Sequence, residues 1–367
     1  MNIDIILPYK EIFSTNKASA VSLTVKNALE FSNFKNNINI YGQFTDNPFV
    51  KKNFIGIKVN KIFNLGKNKF ILNKYFHSHY SENNQKIIEI HNRPYLFNMA
   101  IKKIGDLHPV TLHFHNDPTT MKGSKTISER INIIKNAAAI YFVSNFIKNR
   151  FLEDIKENHD NLYVLPNGIQ RNDTKFPDKK KEIFFVGRLV PEKGSHLYVK
   201  SIINLVSRNP DWQFKIVGTS KAGQENLQTE YEKKVINEFL SLGSNTEYLG
   251  FIPNDEVKKL LKSASILVIP SLWDDPFPLT ALEGLSLGLA IIASNRGGLS
   301  EMLMDKGILL DNLNQKNLEN SIIKLISNPD ILKNYQKKSW TNYKYNQATI
   351  SQYQDEIRKN IIERYYK

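Results

Sequence analysis

A chain of 367 residues is long enough for two domains, each burying a core of its own. Hydrophobic residues make up 41% and charged residues 23%, as in a globular soluble protein, and the absence of cysteine excludes disulfides, zinc–thiolate sites and cysteine nucleophiles. The net charge of +14 favours anionic partners, although 41 of the 50 basic residues are lysine, an excess that compositional bias alone can produce.

Met1-Asn2-Ile3-Asp4 opens directly into a strand pattern, without the basic start and apolar run of a signal peptide. No window reaches the roughly 18 uncharged apolar residues of a membrane span, so a cytoplasmic protein is expected. Strands are predicted in chain order at Ile3–Pro8, Asn37–Gly42, Ile87–His91, Val110–His115, Ile140–Ser144 and Tyr163–Pro166. A second series follows at Glu182–Gly187, Gln213–Gly218, Thr246–Leu249, Ile266–Pro270, Ala290–Ser294 and Gly307–Leu310. Plausible helices such as 228–242 and 254–264 fill the gaps of the second series, a βαβ alternation that implies parallel sheets. The polar, turn-rich stretch around 171–181 reads as a linker. The expected organisation is an N-terminal Rossmann-like domain over 1–170, the linker, a C-terminal Rossmann-like domain over 182–345, and a helix over 346–367 crossing back to the first domain.

One stretch of the first half stands out by charge. Between Asp46 and Glu82 lie seven lysines and no acid, with Phe54, Phe63, Phe70, Tyr75 and Phe76 interleaved. Residues 47–81 are therefore a candidate surface for an anionic membrane, with a merely solvated lysine-rich face as the alternative.

Ligands of open parallel sheets bind beyond the carboxyl ends of the strands, so residues there carry most of the information. Phe185-Val186-Gly187-Arg188 runs from a strand into a tight turn, and Lys193-Gly194 precedes a helix. Arginine offers a planar fork, lysine a compact charge and the helix start a partial positive charge, the requirements of a diphosphate. Asp275 and Glu283, eight positions apart on a loop and the helix after it, suit the paired hydroxyls of a ribose or hexose, although Asp274 or Asp275 could simply cap that helix. Asp274 and Asp275 are not read as a metal site, because no Asp-x-Asp triplet or accompanying histidine supports one. His91 and His115 each end a strand and run into Asn-x-Pro, and alternation puts Thr111, His113 and His115 on one face. His115, the last of them, is the best placed to reach a ligand.

These residues resemble a family 4 (GT4) retaining glycosyltransferase of the GT-B class, over the whole chain. The pattern is strongest in Gly187-Arg188…Glu192-Lys193-Gly194, Gly250-Phe251-Ile252-Pro253 and the acidic-x7-Glu element at Asp275 and Glu283. It is looser in Leu165-Pro166-Asn167-Gly168 and His115-Asn116-Asp117-Pro118. The resemblance implies an α/β GT-B fold, two Rossmann-like domains whose parallel sheets face each other across a cleft, with the C-terminal helix packed on the N-terminal domain. It implies a metal-independent enzyme without cofactor that moves a sugar from a nucleotide-sugar donor to a glycan or lipid-linked acceptor.

Under that resemblance Arg188 and Lys193 neutralise the donor diphosphate, Glu283 holds the ribose hydroxyls and Asp275 the donor sugar. Gly187 and the backbone of Phe277, Pro278, Leu279 and Thr280 approach sugar and phosphate, Gly250, Phe251 and Ile252 pack by the nucleobase, and His115 approaches the transferred sugar. The chain departs from the pattern in three places. Asp275 is one methylene shorter than the usual Glu, Pro278 removes a backbone N–H where Gly is usual, and Ala18-Ser19-Ala20 replaces a Gly pair in the first loop. A sugar-nucleotide epimerase on the same fold is the alternative reading. Nucleic acid is not an expected partner, because the lysines are mostly scattered and no recognised module is present.

Overall fold

The computed structural model describes residues 2–16, 19–59, 66–156, 159–220 and 228–366. The chain divides into two compact units, Met1–Gly168 with Asn346–Lys367, and Ile169–Tyr345.

Unit 1 is built on strands β1 (Asn2–Ile6), β2 (Ile38–Gln43), β3 (Phe54–Ile57), β4 (Lys86–His91), β5 (Val110–Phe114), β6 (Ala139–Phe142) and β7 (Leu162–Val164). They form one parallel sheet in the order β3-β2-β1-β4-β5-β6-β7. Helices fill the crossovers, and their starts are chemically marked. Ser19 and Thr126 each close a capping box, with Ser22 and Glu129 respectively, and the Ser144 hydroxyl accepts from Ile147 N. Burial is near-complete in β4 and β5, the sheet centre, as expected of strands covered on both faces.

Unit 2 consists of β8 (Glu182–Val186), β9 (Gln213–Val217), β10 (Thr246–Tyr248), β11 (Ile266–Ile269), β12 (Ala290–Ser294) and β13 (Gly307–Leu310), all parallel, in the order β10-β9-β8-β11-β12-β13. Both sheets thus run third-second-first-fourth-fifth-sixth, with a seventh strand added in unit 1, the doubly wound order whose direction reverses between first and fourth strand. In unit 2 this puts the carboxyl ends of β8 and β11 side by side, the ends that carry Gly187-Arg188 and the loop 270–278.

Three expectations need adjusting. Strand β3 was not foreseen: its four residues, Phe-Ile-Gly-Ile, lie within the lysine-rich stretch and are too few to show a period. The aromatics of that stretch do not face outward together. Tyr75 and Phe76, on helix Lys67–Ser78, are buried, the Tyr75 hydroxyl donates to Asp4 Oδ2 at 2.8 Å, and Phe54 packs on a core that includes Phe13. Lys51, Lys52, Lys58, Lys67, Lys69 and Lys74 are exposed, whereas Lys61 and Phe63 lie outside the described residues, as does Ala18 of the first loop. The face is therefore basic rather than basic-and-aromatic.

Residues 171–181 are not a free linker but are fastened to unit 2. The Arg171 guanidinium lies 4.0 Å over the Trp340 ring and donates to Trp340 O at 2.7 Å. The Lys179 ammonium donates to Lys262 O at 2.9 Å and Leu287 O at 2.8 Å, carbonyls at two helix ends.

The last helix, Gln347–Tyr365, belongs to unit 1, as expected of a helix that crosses back. Ile357 and Ile361 pack on Ile87, Ala139 and Tyr141 of the sheet. Between these apolar contacts Arg358 is fully buried; its Nε and Nη2 donate to Glu89 Oε1 and Oε2 at 2.9 and 2.8 Å, and its Nη1 to Asp355 Oδ1 at 3.0 Å. Ser32 Oγ and Asn33 N donate to Asp355 in turn, at 2.8 and 2.6 Å. Burial works against the guanidinium charge, but Glu89 and Asp355 outweigh it and keep Arg358 charged.

Candidate active site

The site in unit 2 begins with backbone packing at the strand ends. After β8 the chain turns through Gly187 and Arg188 into a single 3-10 turn, Pro191–Lys193, and then into helix Ser195–Arg208. Gly194, at φ +71°, makes the junction; a Cβ there would lie 1.8 Å from Pro270 O, so only glycine lets the Lys193 turn sit against the end of β11. Gly218, at φ +124°, is equally constrained, since a Cβ would lie 2.1 Å from Gly187 O. Its N–H donates to Gly250 O at 2.7 Å, so the ends of β8, β9 and β10 meet through bare backbone. Phe251 and Ile252, beyond Gly250, are half-buried.

Loop 270–278 is pinned to this turn. Leu272 N donates to Glu192 O at 2.8 Å, Asp275 N to Trp273 O at 2.9 Å, and Gly298 N to Asp275 O at 2.8 Å. The pinning brings Lys193 and Asp275 together in a salt bridge between Nζ and Oδ2. Two groups expected to meet different parts of a donor therefore meet each other. Arg188 is exposed at the end of β8, and Phe277 is buried against Tyr345, ring centroids 5.4 Å apart. Pro278 caps the helix Leu279–Ser286 that carries Glu283, with Leu279 and Thr280 half-buried on its first turn.

Glu283 is buried, and burial pushes its carboxyl above the ordinary range; Asn254 Nδ2, donating to Oε1 at 2.6 Å, opposes the rise. The sequence reading missed Asn254, which only a folded structure places over Glu283 from another helix. It also gave no role to Trp273, whose ring is 42% exposed with the Lys193 ammonium 5.3 Å from its centroid.

In unit 1, strand register sets His91 directly beside His113. The rings stack, centroids 4.2 Å apart and planes 11° apart, and His115 meets His91 edge to edge, centroids 5.2 Å apart and planes 15° apart. Nδ1 of His91 and Nε2 of His115 are 2.9 Å apart. Burial first, then the neighbouring imidazole, pushes all three rings well below the ordinary histidine range, so they are neutral near pH 7. One nitrogen from each lies within 4.8 Å of the others, close enough to suggest a metal centre. The spacing argues against it: His91 Nδ1 and His115 Nε2 already face each other at 2.9 Å in a hydrogen bond, closer than the roughly 3.3 Å between two nitrogens on one tetrahedral zinc.

The family model described as "Glycosyl transferases group 1" matches residues 167–345, the whole of unit 2 and just under half of the chain. Among curated relatives, a putative glycosyltransferase YtcC of Bacillus subtilis is 27% identical over 62% of this chain and 60% of its own length. The lipopolysaccharide 1,2-N-acetylglucosaminetransferase of Salmonella typhimurium is 24% identical over 76% of this chain and 74% of its own. The first of these relatives is thus spanned over less than two thirds of its length. Two solved structures superpose along nearly the full chain at 16% identity. Anabaena Alr3699/HepE, in complex with UDP, gives a TM-score of 0.74 over 98% of this chain and 100% of its own; sucrose-phosphate synthase of Thermosynechococcus elongatus gives 0.75 over 99% of each. One expectation is corrected: the matching model is that of group 1, not family 4. The motifs that suggested the finer number lie mostly within unit 2, and glycines, cations and paired acids at strand ends do not by themselves fix a family number. Unit 2 thus matches the glycosyl transferases group 1 model from end to end, within a two-unit α/β chain of the GT-B fold.

Proposed function

We propose that the protein is a glycosyltransferase that takes a sugar from a nucleotide-sugar donor, with unit 2 binding the donor and unit 1 serving the acceptor. The observation that carries this reading is the Lys193–Asp275 pair at the joined ends of β8 and β11, with Glu283 held by Asn254 on the helix that follows. In this reading Arg188 and Lys193 face the diphosphate, Asp275 the transferred sugar and Glu283 the ribose hydroxyls. Gly187 and residues 277–280 lie along sugar and phosphate, and Gly250, Phe251 and Ile252 lie by the base. His115 contacts the sugar.

Breaking the sugar–phosphate bond builds negative charge on the diphosphate and positive charge at the anomeric carbon. Cations fixed at the diphosphate stabilise that state more than the bound donor, the part a divalent metal plays elsewhere. A metal-independent reaction follows. Lys193 starts from a bond to Asp275, so a diphosphate that engages the ammonium releases the carboxylate toward the sugar hydroxyls. The departing phosphate oxygen is then the nearest base for the acceptor proton. The acceptor therefore attacks from the face that the phosphate leaves, and anomeric configuration is retained.

For the acceptor we infer a lipid-linked or cell-envelope glycan. The name of the Salmonella relative supports the glycan, and six exposed lysines between residues 51 and 74 support an anionic membrane surface. A peripheral place on the cytoplasmic face of a membrane is inferred from those lysines; among the described residues no helix is long and apolar enough to cross a membrane. Thermal shift against UDP-, GDP- and ADP-sugars, then transfer assays with a chelator present, tests the reading. Stabilisation by at least one donor and chelator-resistant transfer with retained configuration are expected. Donor conversion with no acceptor product would instead indicate an epimerase. Flotation with anionic liposomes at low and high salt tests the membrane surface, and no retention at low salt removes it.

A further inference from the structure

His115 stands just past the end of β5, half-buried, where the chain turns into Asn116-Asp117-Pro118. Its backbone and its ring are held separately. Its backbone N–H donates to Asn92 Oδ1 at 3.3 Å. Asn92 is itself in the left-handed region at φ +54° and donates its N–H to His113 O at 2.7 Å. The side-chain restraint comes from His91, whose Nδ1 lies 2.9 Å from His115 Nε2.

His91 cannot move aside. It is wedged on His113, which stacks on Tyr141 with centroids 4.3 Å apart. His113 Nε2 lies 3.7 Å from Glu89 Oε2, and Glu89 is clamped by Arg358. Glu89, His91, His113, Tyr141 and Arg358 are all buried. The chain of contacts thus runs from a charge-locked helix, through two buried imidazoles, to His115 just past the end of β5. An imidazole has two nitrogens. A hydrogen bond to one of them fixes the ring plane and leaves only the other for a ligand.

We propose that His91 is the positioning residue for His115: by engaging Nε2 it leaves Nδ1 as the atom through which His115 meets the substrate sugar. The proposal rests on the glycosyltransferase reading of His115. It makes His115 a hydrogen-bonding partner of fixed direction. Only one proton fits between the paired nitrogens, and a charge on the pair would sit against the neutral, buried His113.

The test uses the full chain. His91→Phe keeps a flat ring on His113 and removes the nitrogen, whereas His91→Asn offers an amide near the position of Nδ1. Nitrogen-15 NMR of the histidine side chains, assigned with His115→Ala, reads the pairing directly. A single His115 tautomer is expected in the native protein and in His91→Asn, and exchanging tautomers in His91→Phe. Turnover is read with whichever nucleotide sugar of a UDP-, GDP- and ADP-sugar panel is consumed. His91→Phe is expected to lower kcat about tenfold or more, as misplacement of a reacting partner does. KM for the donor and affinity for the free nucleotide are expected to stay within about twofold, and His91→Asn to regain most of the lost kcat.

An unchanged tautomer or unchanged kcat in His91→Phe overturns the proposal. So does a loss of kcat that tracks the melting temperature and is not recovered by His91→Asn. If the native protein consumes no nucleotide sugar, the functional reading falls and takes the substrate half of the proposal with it, while the NMR arm still decides the His91–His115 bond.

Discussion

Unit 1 holds its polar chemistry beneath a helix, and unit 2 holds its own in loops at the strand ends. In unit 1, Glu89, His91, Thr111, His113 and Tyr141 line a sheet face buried together with Arg358. In unit 2, Arg188, Trp273 and Asp274 are exposed, and the Lys193 side chain keeps a fifth of its surface in solvent. The same strand order therefore supports two different economies of charge. Removing one partner of a buried set strands the other in a low dielectric and costs stability. Removing a loop cation costs little in folding and is felt by the ligand.

Arg358→Leu breaks the buried side of this contrast most sharply. It leaves Glu89 and Asp355 without their cation, and a loss of about 3–5 kcal/mol in the unfolding free energy of unit 1 is expected. A denaturant midpoint equal to that of the native protein would mean that the network does not hold the helix. Lys193→Ala probes the other side. Turnover is expected to fall on the order of 100- to 1,000-fold, with folding stability changed by no more than about 0.5 kcal/mol. If turnover survives, Lys193 has no part in the reaction.

Mild acid sharpens the comparison. The three imidazoles have folded values well below the 6.5 of a free histidine, so below that pH the unfolded chain takes up protons that the folded one refuses. Stability of unit 1 should fall as pH drops below about 6.5, by at most about 1.4 kcal/mol per pH unit for each ring, and recover above it. Unfolding of the native protein and of His113→Gln between pH 7.5 and 5.5 measures this, and equal slopes would remove His113 from the effect. The smallest effect belongs to Glu283. Burial raises its carboxyl above 4.5, so the proton returns at a higher pH than for a free side chain. Donor affinity should weaken as pH falls through that raised value, by at most about tenfold per pH unit, and Glu283→Gln should flatten the profile. Titration calorimetry with the donor checks it.

The contrast also explains what was legible beforehand. Loop chemistry in unit 2 is local in sequence: Gly187-Arg188, Lys193-Gly194 and the Asp275–Glu283 spacing each fall within a few residues, so a linear reading finds them. The unforeseen contact is Asn254 on Glu283, which joins two helices 29 residues apart. In unit 1 the chemistry is assembled across the sheet. Thr111, His113 and His115 share a strand face and could be read together, but the pairing of His91 with His115 needs the β4–β5 register, and Glu89 with Arg358 spans 269 residues. The strand β3 and the inward turn of Tyr75 and Phe76 were hidden for a related reason. A lysine-rich composition advertises the solvent face and says little about the residues alternating beneath it.

Because Asn346–Lys367 completes unit 1, unit 2 is an insertion within it. Synthesis on the ribosome therefore delivers the parts out of step. The contiguous 169–345 region can finish its own sheet, while the earlier 168 residues still expose the Glu89 carboxylate and the apolar strip that Ile357 and Ile361 will cover. The first-made half is the last to be sealed, and a nascent chain halted before Arg358 emerges would present that unsealed sheet face to chaperones.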